Sequence, residues 1–164
     1  MPHETYHVLR LYFQKLTENQ KMSETIEIAD MSTSDYEGVR HLWIASGFVI
    51  RPRTDTLEGI NRLLARNPGL SLVARSDGAI VGCALGSHDG RRGFLQHVAV
   101  AQSFQRRGIA QKMVGICLER FRDLHLGWVH LDVEAGNDRA RSFWLRNGWM
   151  PRNELTRLSL NLFG

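Results

Sequence analysis

Short apolar runs alternate with longer amphipathic stretches along most of this chain. Six of the short runs are bounded by turn-forming residues and predict strands. They lie at 24–29, 70–75, 79–87, 94–100, 128–133 and within 154–162. Four stretches with apolar residues at helical spacing predict helices: one capped by Ser32 or Ser34 and running through residue 44, and others at about 54–66, 107–122 and 137–147.

Turn residues indicate how the predicted strands pair. Ser76-Asp77-Gly78 and Asp89-Gly90 separate the three middle strands, which therefore form antiparallel hairpins. The strand that follows the 107–122 helix returns in the same direction as the strand before it, so this pair is parallel. We expect an α/β fold with a mixed, mostly antiparallel sheet of six to seven strands, flanked by about four helices.

The beginning of the chain differs from the rest. Residues 1–21 carry apolar side chains at helical spacing and predict an amphipathic helical extension. Strands and helices alternate after Met22, so residues 22–164 are expected to form a single domain. The extension could cap this domain or lie in a dimer contact, which leaves a homodimer open.

Composition narrows the classes of protein that fit. The chain has 164 residues, 43% of them hydrophobic and 23% charged, which suits one well-buried domain. Its formal charge of +4 suits anionic ligands, but there is no dense basic stripe of the kind a nucleic-acid binder carries. Two cysteines in apolar segments argue against a disulfide framework, and no apolar run would span a bilayer. These features predict a cytoplasmic protein with neither a nucleic-acid nor a membrane partner.

The strand at 94–100 leads into a segment that is suited to hold a phosphate. Residues 105–110 read QRRGIA and open a helix. The first turn of a helix has unpaired N–H groups and a partial positive charge, so an anion binds there when small residues let it approach. Gly108 and Ala110 are small, and Arg106 and Arg107 add positive charge. A solvated turn that binds nothing is the alternative interpretation.

A second pattern follows the strand at 128–133. Asn137 is placed to cap a helix, Ala140 and the Phe143-Trp144 pair project from that helix, and Gly148-Trp149 ends it. The capping and terminating residues of an ordinary helix with packed aromatic side chains would give the same pattern. The two patterns therefore carry more weight together than either does alone.

Together with Val98-Ala99-Val100, the two patterns resemble the signatures of the GNAT family of N-acetyltransferases. The first signature is Gln/Arg-x-x-Gly-x-Gly/Ala after a strand end. The second is an asparagine, a small residue three positions later, an aromatic pair and a glycine followed by an aromatic residue. Both occur here in order, and the resemblance covers about residues 26–162.

The resemblance implies an acetyltransferase that passes the acetyl group of acetyl-CoA directly to a primary amine of a small molecule, peptide or protein. The pantetheine arm would lie along the 94–100 strand, with the diphosphate on the N–H groups after it. A backbone N–H near Val98 would stabilise the oxyanion formed on attack. The residues implied in CoA binding are Val98, Ala99, Val100, Gln105, Arg106, Arg107, Gly108, Ile109, Ala110, Asn137, Ala140, Phe143 and Trp144.

The acceptor amine is protonated at neutral pH and must lose a proton before it attacks. His97, Asp132 and Glu134 are the candidate bases, with a relayed water as the alternative. Period two points Asp132 and Glu134 to the same strand face, opposite Leu131 and Val133. Trp144 lies where many relatives carry a general-acid tyrosine, and an indole N–H does not deliver a proton at useful pH. A thiol with a pKa of about 8.5 is, however, able to leave as a thiolate.

Two other functions stay open. Trp144 motivates a catalytically weak sensor that binds CoA but hardly consumes it, and the basic balance motivates a nucleic-acid-binding module. The histidines lack the spacing of zinc ligands, so no metal is expected, and there is no P-loop for a nucleoside triphosphate. The acceptor itself is not encoded in any pattern of the chain.

Overall fold

The computed structural model describes residues 25–162. The chain divides into two compact units, one up to Leu131 and one from Asp132 onward, and each is described by itself. The strands are β1 Ile26–Asp30, β2 Leu72–Ser76, β3 Ala79–His88, β4 Arg92–Val100 and β5 Trp128–His130. The helices are α1 Tyr36–Ala45, α2 Leu57–Arg66, α3 Ile109–Asp123 and, in the second unit, α4 Asp138–Arg146.

The five strands form one mixed sheet in the order β1-β2-β3-β4-β5. The pairs from β1 to β4 are antiparallel, and β5 pairs with β4 in parallel after the crossover through α3. This confirms the α/β fold, the row of antiparallel strands and the parallel pair expected from the sequence.

Helices cover both faces of the sheet in the first unit. Val73 and Cys83, which are partners in the β2–β3 ladder, lie in a buried cluster with Trp43 of α1. The neighbouring position Gly82 points the opposite way, because successive residues of a strand alternate between faces. A β-carbon at Gly82 would lie 3.1 Å from the Met113 side chain, which belongs to α3. Helices α1 and α3 therefore pack on opposite faces.

A buried carboxylate ties the start of α1 to the sheet. Asp35 accepts the Ser32 N–H at 2.9 Å and the Ser32 hydroxyl at 3.0 Å, and it forms an ion pair with Arg75 of β2. Burial alone would raise the pKa of Asp35, but these hydrogen bonds and the Arg75 guanidinium hold it below its usual value. Ser32 thus contributes to the helix start, as the sequence predicts.

The structure corrects some predicted elements. Residues 154–162 form no strand: Leu158 and Leu160, part of the alternation that suggested one, are 90% and 84% exposed. Alternation marks which face of a strand is buried, but a strand also needs a neighbour to pair with. The described residues therefore form five strands rather than six to seven. The predicted 1–21 extension lies outside the described residues, and a single domain over 22–164 stays a prediction.

Candidate active site

The ladder between β4 and β5 is short. It has three residue pairs and stops at Phe94 and His130, because β5 ends there. β4 continues to Val100 and is bonded on its other side to β3. The β5 side of β4 at residues 95–100 therefore has no strand partner within this sheet. Backbone groups on such an edge are able to bond a ligand that lies along it.

A bulge occupies the middle of this open edge. Between β3 and β4 the register runs from Leu85 opposite Gln96 to Cys83 opposite Ala99, so β4 carries one more residue than β3 over this stretch. Within it, His97 takes a φ of 48°, in the left-handed region that non-glycine residues rarely adopt. A bulge bends its strand and turns the side chain at that position in a new direction.

The His97 imidazole is enclosed by two aromatic rings and a carboxylate. Its ring centroid lies 4.6 Å from that of Trp43 and 5.3 Å from that of Phe48. Its Nε2 lies 3.6 Å from an Asp55 carboxylate oxygen. Burial lowers the pKa of His97 below its usual value, the Asp55 carboxylate opposes that effect, and the Arg51 guanidinium adds to it. The imidazole is therefore neutral at pH 7 and able to accept a proton.

Asp55 is held by the loop that precedes α2. One carboxylate oxygen accepts the Arg51 N–H at 2.8 Å and the other accepts the Thr54 hydroxyl at 3.3 Å. The buried Tyr36 hydroxyl donates to the Asp55 backbone carbonyl at 2.9 Å. The Asp55 side chain is only 6% exposed. Sequence reasoning missed Asp55, because an aspartate just before a helix has the pattern of an ordinary cap.

The turn between β4 and α3 leaves space in front of the helix start. Arg106 and Gly108 take φ values of 64° and 76°, and Gly108 precedes α3 without a side-chain cap. The Gln105 side-chain amide donates to the Val100 carbonyl at 2.9 Å and so ties the turn to the end of β4. A β-carbon at Gly108 would meet no atom within 4 Å. The first N–H groups of α3 are therefore open to an anion.

Two of the residues in the predicted phosphate-binding turn have side chains that contact the protein itself. The Arg107 guanidinium lies 4.8 Å from the centroid of the Phe104 ring and donates to the Ser103 carbonyl at 3.0 Å. Ile109 is 5% exposed and packs towards the sheet, so its N–H rather than its side chain is available to a ligand. Arg106 is exposed beside the turn.

Both cysteines are buried in the first unit. Cys83 accepts the Trp43 indole N–H at 3.1 Å and donates to the His97 carbonyl at 3.3 Å. Burial raises the pKa of Cys83 to about 12 and that of Cys117 to about 11. Neither thiol is ionised near neutral pH, so neither is a ready nucleophile.

In the second unit, Asn137 begins α4 as the sequence predicts. Its side-chain oxygen accepts the Ala140 N–H at 3.0 Å, so its NH2 group is the part left for a ligand. The rings of Phe143 and Trp144 meet edge to face at 5.0 Å, and those of Trp144 and Trp149 at 5.1 Å. The predicted aromatic residues therefore form one cluster.

The carboxylates predicted as alternative bases do not lie on a strand. β5 ends at His130, so the argument that put Asp132 and Glu134 on one strand face is wrong. Asp132 is 58% exposed and forms an ion pair with Arg157, and Glu134 is exposed. Of the three predicted bases, His97 is the one that is half-buried and lies on β4 at its open edge.

Residues 25–162 contain no group of His, Cys, Asp and Glu side chains that could hold a metal ion. In the same range, none of the helices has the length and apolar character needed to cross a membrane.

Comparisons with known proteins all find acetyltransferases. The sequence model of the Acetyltransferase (GNAT) family matches residues 36–149. An acetyltransferase of Pectobacterium atrosepticum is 34% identical over 113 residues, which cover 69% of this chain and 79% of that protein. An acetyltransferase of Sodalis glossinidius is 30% identical over 119 residues, which cover 73% of this chain and 83% of that protein.

Solved structures share the fold. The structure of Ard1 from Thermoplasma volcanium has a TM-score of 0.68 at 25% identity, covering 76% of this chain and 82% of that chain. The structure of AAC(6')-Iy in complex with a bisubstrate analogue, CoA-S-monomethyl-acetylneamine, also has a TM-score of 0.68, at 18% identity. That match covers 84% of this chain and 99% of the other.

Proposed function

Because this chain belongs to the GNAT family of acetyltransferases, we propose that it transfers the acetyl group of acetyl-CoA directly to a primary amine of a small molecule, peptide or protein. The observation that carries the proposal is the open edge of β4 at residues 95–100, which leads through the 101–108 turn to the uncapped start of α3. The edge suits the amides of a pantetheine arm, and the helix start suits a diphosphate.

The CoA-binding residues follow from this placement. The pantetheine amides bond the backbone of Val98, Ala99 and Val100, and a backbone N–H near Val98 faces the thioester oxygen. The diphosphate bonds the N–H groups of residues 105–110, with Arg106 and Arg107 adding positive charge beside it. The family signature adds Asn137, Ala140, Phe143 and Trp144 to the residues proposed to bind CoA.

His97 serves as the general base. It is half-buried at the open edge of β4, and its lowered pKa keeps it unprotonated at neutral pH. A base must already be neutral to accept the proton of the acceptor ammonium. Asp132 and Glu134, which are exposed, are the weaker candidates.

The CoA thiol leaves without a tyrosine acid. Trp144 lies at the position of the usual acid, and Tyr36, the one tyrosine among residues 25–162, is buried with its hydroxyl bonded to Asp55. A thiol with a pKa of about 8.5 is a good leaving group as the thiolate. Transfer therefore depends more on the base and the oxyanion contact than on an acid.

The test is release of free CoA thiol from acetyl-CoA with a panel of amines: peptides, polyamines and aminoglycosides. The wild-type protein is expected to turn over at least one amine class. Gly108→Leu is expected to raise the Kd of CoA by about 10- to 100-fold, the equivalent of losing charged hydrogen bonds to a phosphate. Its matched control is Gly78→Leu in the β2–β3 turn, where the φ of 80° and the open surroundings resemble those of Gly108.

The outcomes separate the competing functions. CoA affinity that survives in Gly108→Leu contradicts the placement of the phosphates. If the protein binds CoA but acetyl-CoA undergoes only background hydrolysis with every amine of the panel, the result favours the catalytically weak CoA sensor. Retention on polyanions with no measurable CoA affinity favours the nucleic-acid-binding module.

A further inference from the structure

The contacts of Asp55 go beyond what a loop cap requires. The Arg51 N–H and the Thr54 hydroxyl already bond its two carboxylate oxygens and so fix the loop. The oxygen that accepts the Arg51 N–H also lies 3.6 Å from His97 Nε2, between side chains that are 6% and 19% exposed. At such low exposure the attraction between a carboxylate and an imidazole is screened less than at the surface.

The His97 ring is restrained in other ways that leave one nitrogen free. Trp43 and Phe48 flank the ring, and the Cys83 thiol bonds the His97 backbone carbonyl. Nε2 faces Asp55. Within residues 25–162, no hydrogen-bond partner lies on Nδ1. A neutral imidazole has one N–H donor and one acceptor nitrogen, so a carboxylate at Nε2 selects the tautomer whose acceptor is Nδ1.

We propose that Asp55 is a positioning residue for the acetyl transfer: its carboxylate holds His97 in the Nε2–H tautomer, so that Nδ1 is the atom that accepts the proton of the acceptor amine. This inference rests on the proposed function of His97 as base. It adds a residue of the loop before α2 to the reaction, and it assigns the proton to a specific atom.

The proton balance of the step is simple. The acceptor ammonium gives one proton to Nδ1, and its nitrogen lone pair then forms a bond to the thioester carbon. The carbon–sulfur bond breaks, and the sulfur leaves with the electron pair. The second proton of the attacking nitrogen goes to the departing thiolate, which leaves an amide, free CoA and an imidazolium. The Asp55 carboxylate stabilises that imidazolium, the same role that a carboxylate plays beside the histidine of a hydrolase triad.

The charges around His97 set the expected pH dependence. The loop before α2 supplies Asp55 and Arg51, α1 supplies the uncharged Trp43, and β3 supplies the Cys83 thiol, which is protonated. Asp55 is the charge that raises the pKa of His97 against burial and Arg51. Asp55→Asn therefore lowers this pKa further, and the acidic limb of the kcat/KM profile moves to lower pH.

The experiment compares wild type, Asp55→Asn, His97→Gln and the double variant. In Asp55→Asn the amide oxygen keeps the place that accepts the Arg51 N–H, so the substitution removes the negative charge that stabilises the imidazolium. With the amine of the panel that wild type acetylates fastest, kcat is expected to fall about 10²- to 10⁴-fold in Asp55→Asn, the usual range for loss of general-base catalysis. In a His97→Gln background the same substitution is expected to have no further effect, since it acts through the imidazole.

Nitrogen-15 NMR of the histidine side chains gives a readout that needs no acceptor. Wild type is expected to show the Nε2–H tautomer at His97, and Asp55→Leu, which leaves no acceptor at Nε2, a larger fraction of the Nδ1–H tautomer. Tyr36→Phe is the matched control, because it removes an anchor of the same loop and leaves the carboxylate in place. It is expected to keep the wild-type tautomer and the wild-type pH profile.

Failure of this inference is distinguishable from failure of the proposed function. An Nδ1–H tautomer in wild type overturns the positioning role, and this measurement suffices if Asp55→Asn does not fold. An unchanged pH profile in Asp55→Asn, together with loss of activity in His97→Gln, also overturns it while the base role of His97 stands. Full activity in His97→Gln overturns both.

Discussion

Burial acts in opposite directions on the imidazole and the thiols of this protein. Taking an ionisable group out of water disfavours its charged form, so burial lowers the pKa of a histidine and raises that of a cysteine. His97 accordingly has a lowered pKa, and Cys83 and Cys117 have pKa values of about 12 and 11. All three are neutral at pH 7, which makes His97 a competent base and the two thiols poor nucleophiles.

Direct transfer without an acetyl-enzyme is therefore expected. Intact-protein mass spectrometry after incubation with acetyl-CoA alone should show no added acetyl group on Cys83 or Cys117, since neither thiolate is populated. Initial rates with both substrates varied should give intersecting rather than parallel lines. A stable acetyl adduct on either cysteine, together with parallel lines, would contradict this mechanism.

At the scale of single residues, the sequence shows which side chains have suitable chemistry, but it does not show which side chains lie next to one another in the fold. His97 and Asn137 were predicted because their residue types and motif positions indicate a role, and Asn137 does cap α4. Asp55 was missed because its role depends on folding that brings its loop beside β4. The predicted arrangement of Asp132 and Glu134 was wrong because it assumed a strand that ends before reaching them.

The first turn of α3 is positioned by close packing at the element scale. A β-carbon at Gly82 of β3 would lie 3.1 Å from Met113 Cε, 3.1 Å from Ala74 Cβ and 3.4 Å from Ile109 Cγ2. Ile109 is the first residue of α3. The absence of a side chain at Gly82 therefore lets the start of this helix approach the sheet closely, and it sets where the N–H groups of the turn point.

Gly82→Val is expected to displace this helix start. Overpacking of this kind costs about 1–3 kcal/mol of unfolding free energy, and the shift of Ile109 should weaken CoA binding as well. Chemical denaturation and calorimetry with CoA measure the two effects. Gly115→Ala is the control on the same helix: its β-carbon would meet nothing within 4 Å, so it should stabilise by about 0.5–1 kcal/mol. Unchanged CoA affinity in a destabilised Gly82→Val protein would contradict the link between packing and binding.

The order and pairing of elements were largely predictable from the sequence, because turn residues and apolar periodicity are local signals. Helix α4, for example, spans Asp138–Arg146 between the predicted ends. The lengths of the strands were less predictable, because a strand extends only as far as a neighbouring strand pairs with it. β5 has three residues, and the alternating leucines at 158 and 160 have no strand to join. The shortness of β5 matters most, since it leaves the edge of β4 open.

At the scale of the first unit, the sheet separates the face that holds the proposed base from the face on which the phosphate-binding helix packs. The face covered by α1 carries Trp43, Cys83 and the His97 ring, and α3, whose first turn faces the proposed diphosphate, packs on the opposite face. β4 carries His97 and leads through the 101–108 turn to the start of α3, so a thioester along its open edge would lie near both. The family match, over residues 36–149, includes every numbered helix and strand of the described residues except β1.

Hydrogen–deuterium exchange with and without acetyl-CoA tests the central claim most directly, since it reports on the backbone N–H groups themselves. Acetyl-CoA is expected to slow exchange in residues 95–100 of β4 and in the first turn of α3, and to leave β1 and β2 unchanged. Binding heat by calorimetry without slower exchange in either segment would contradict the account.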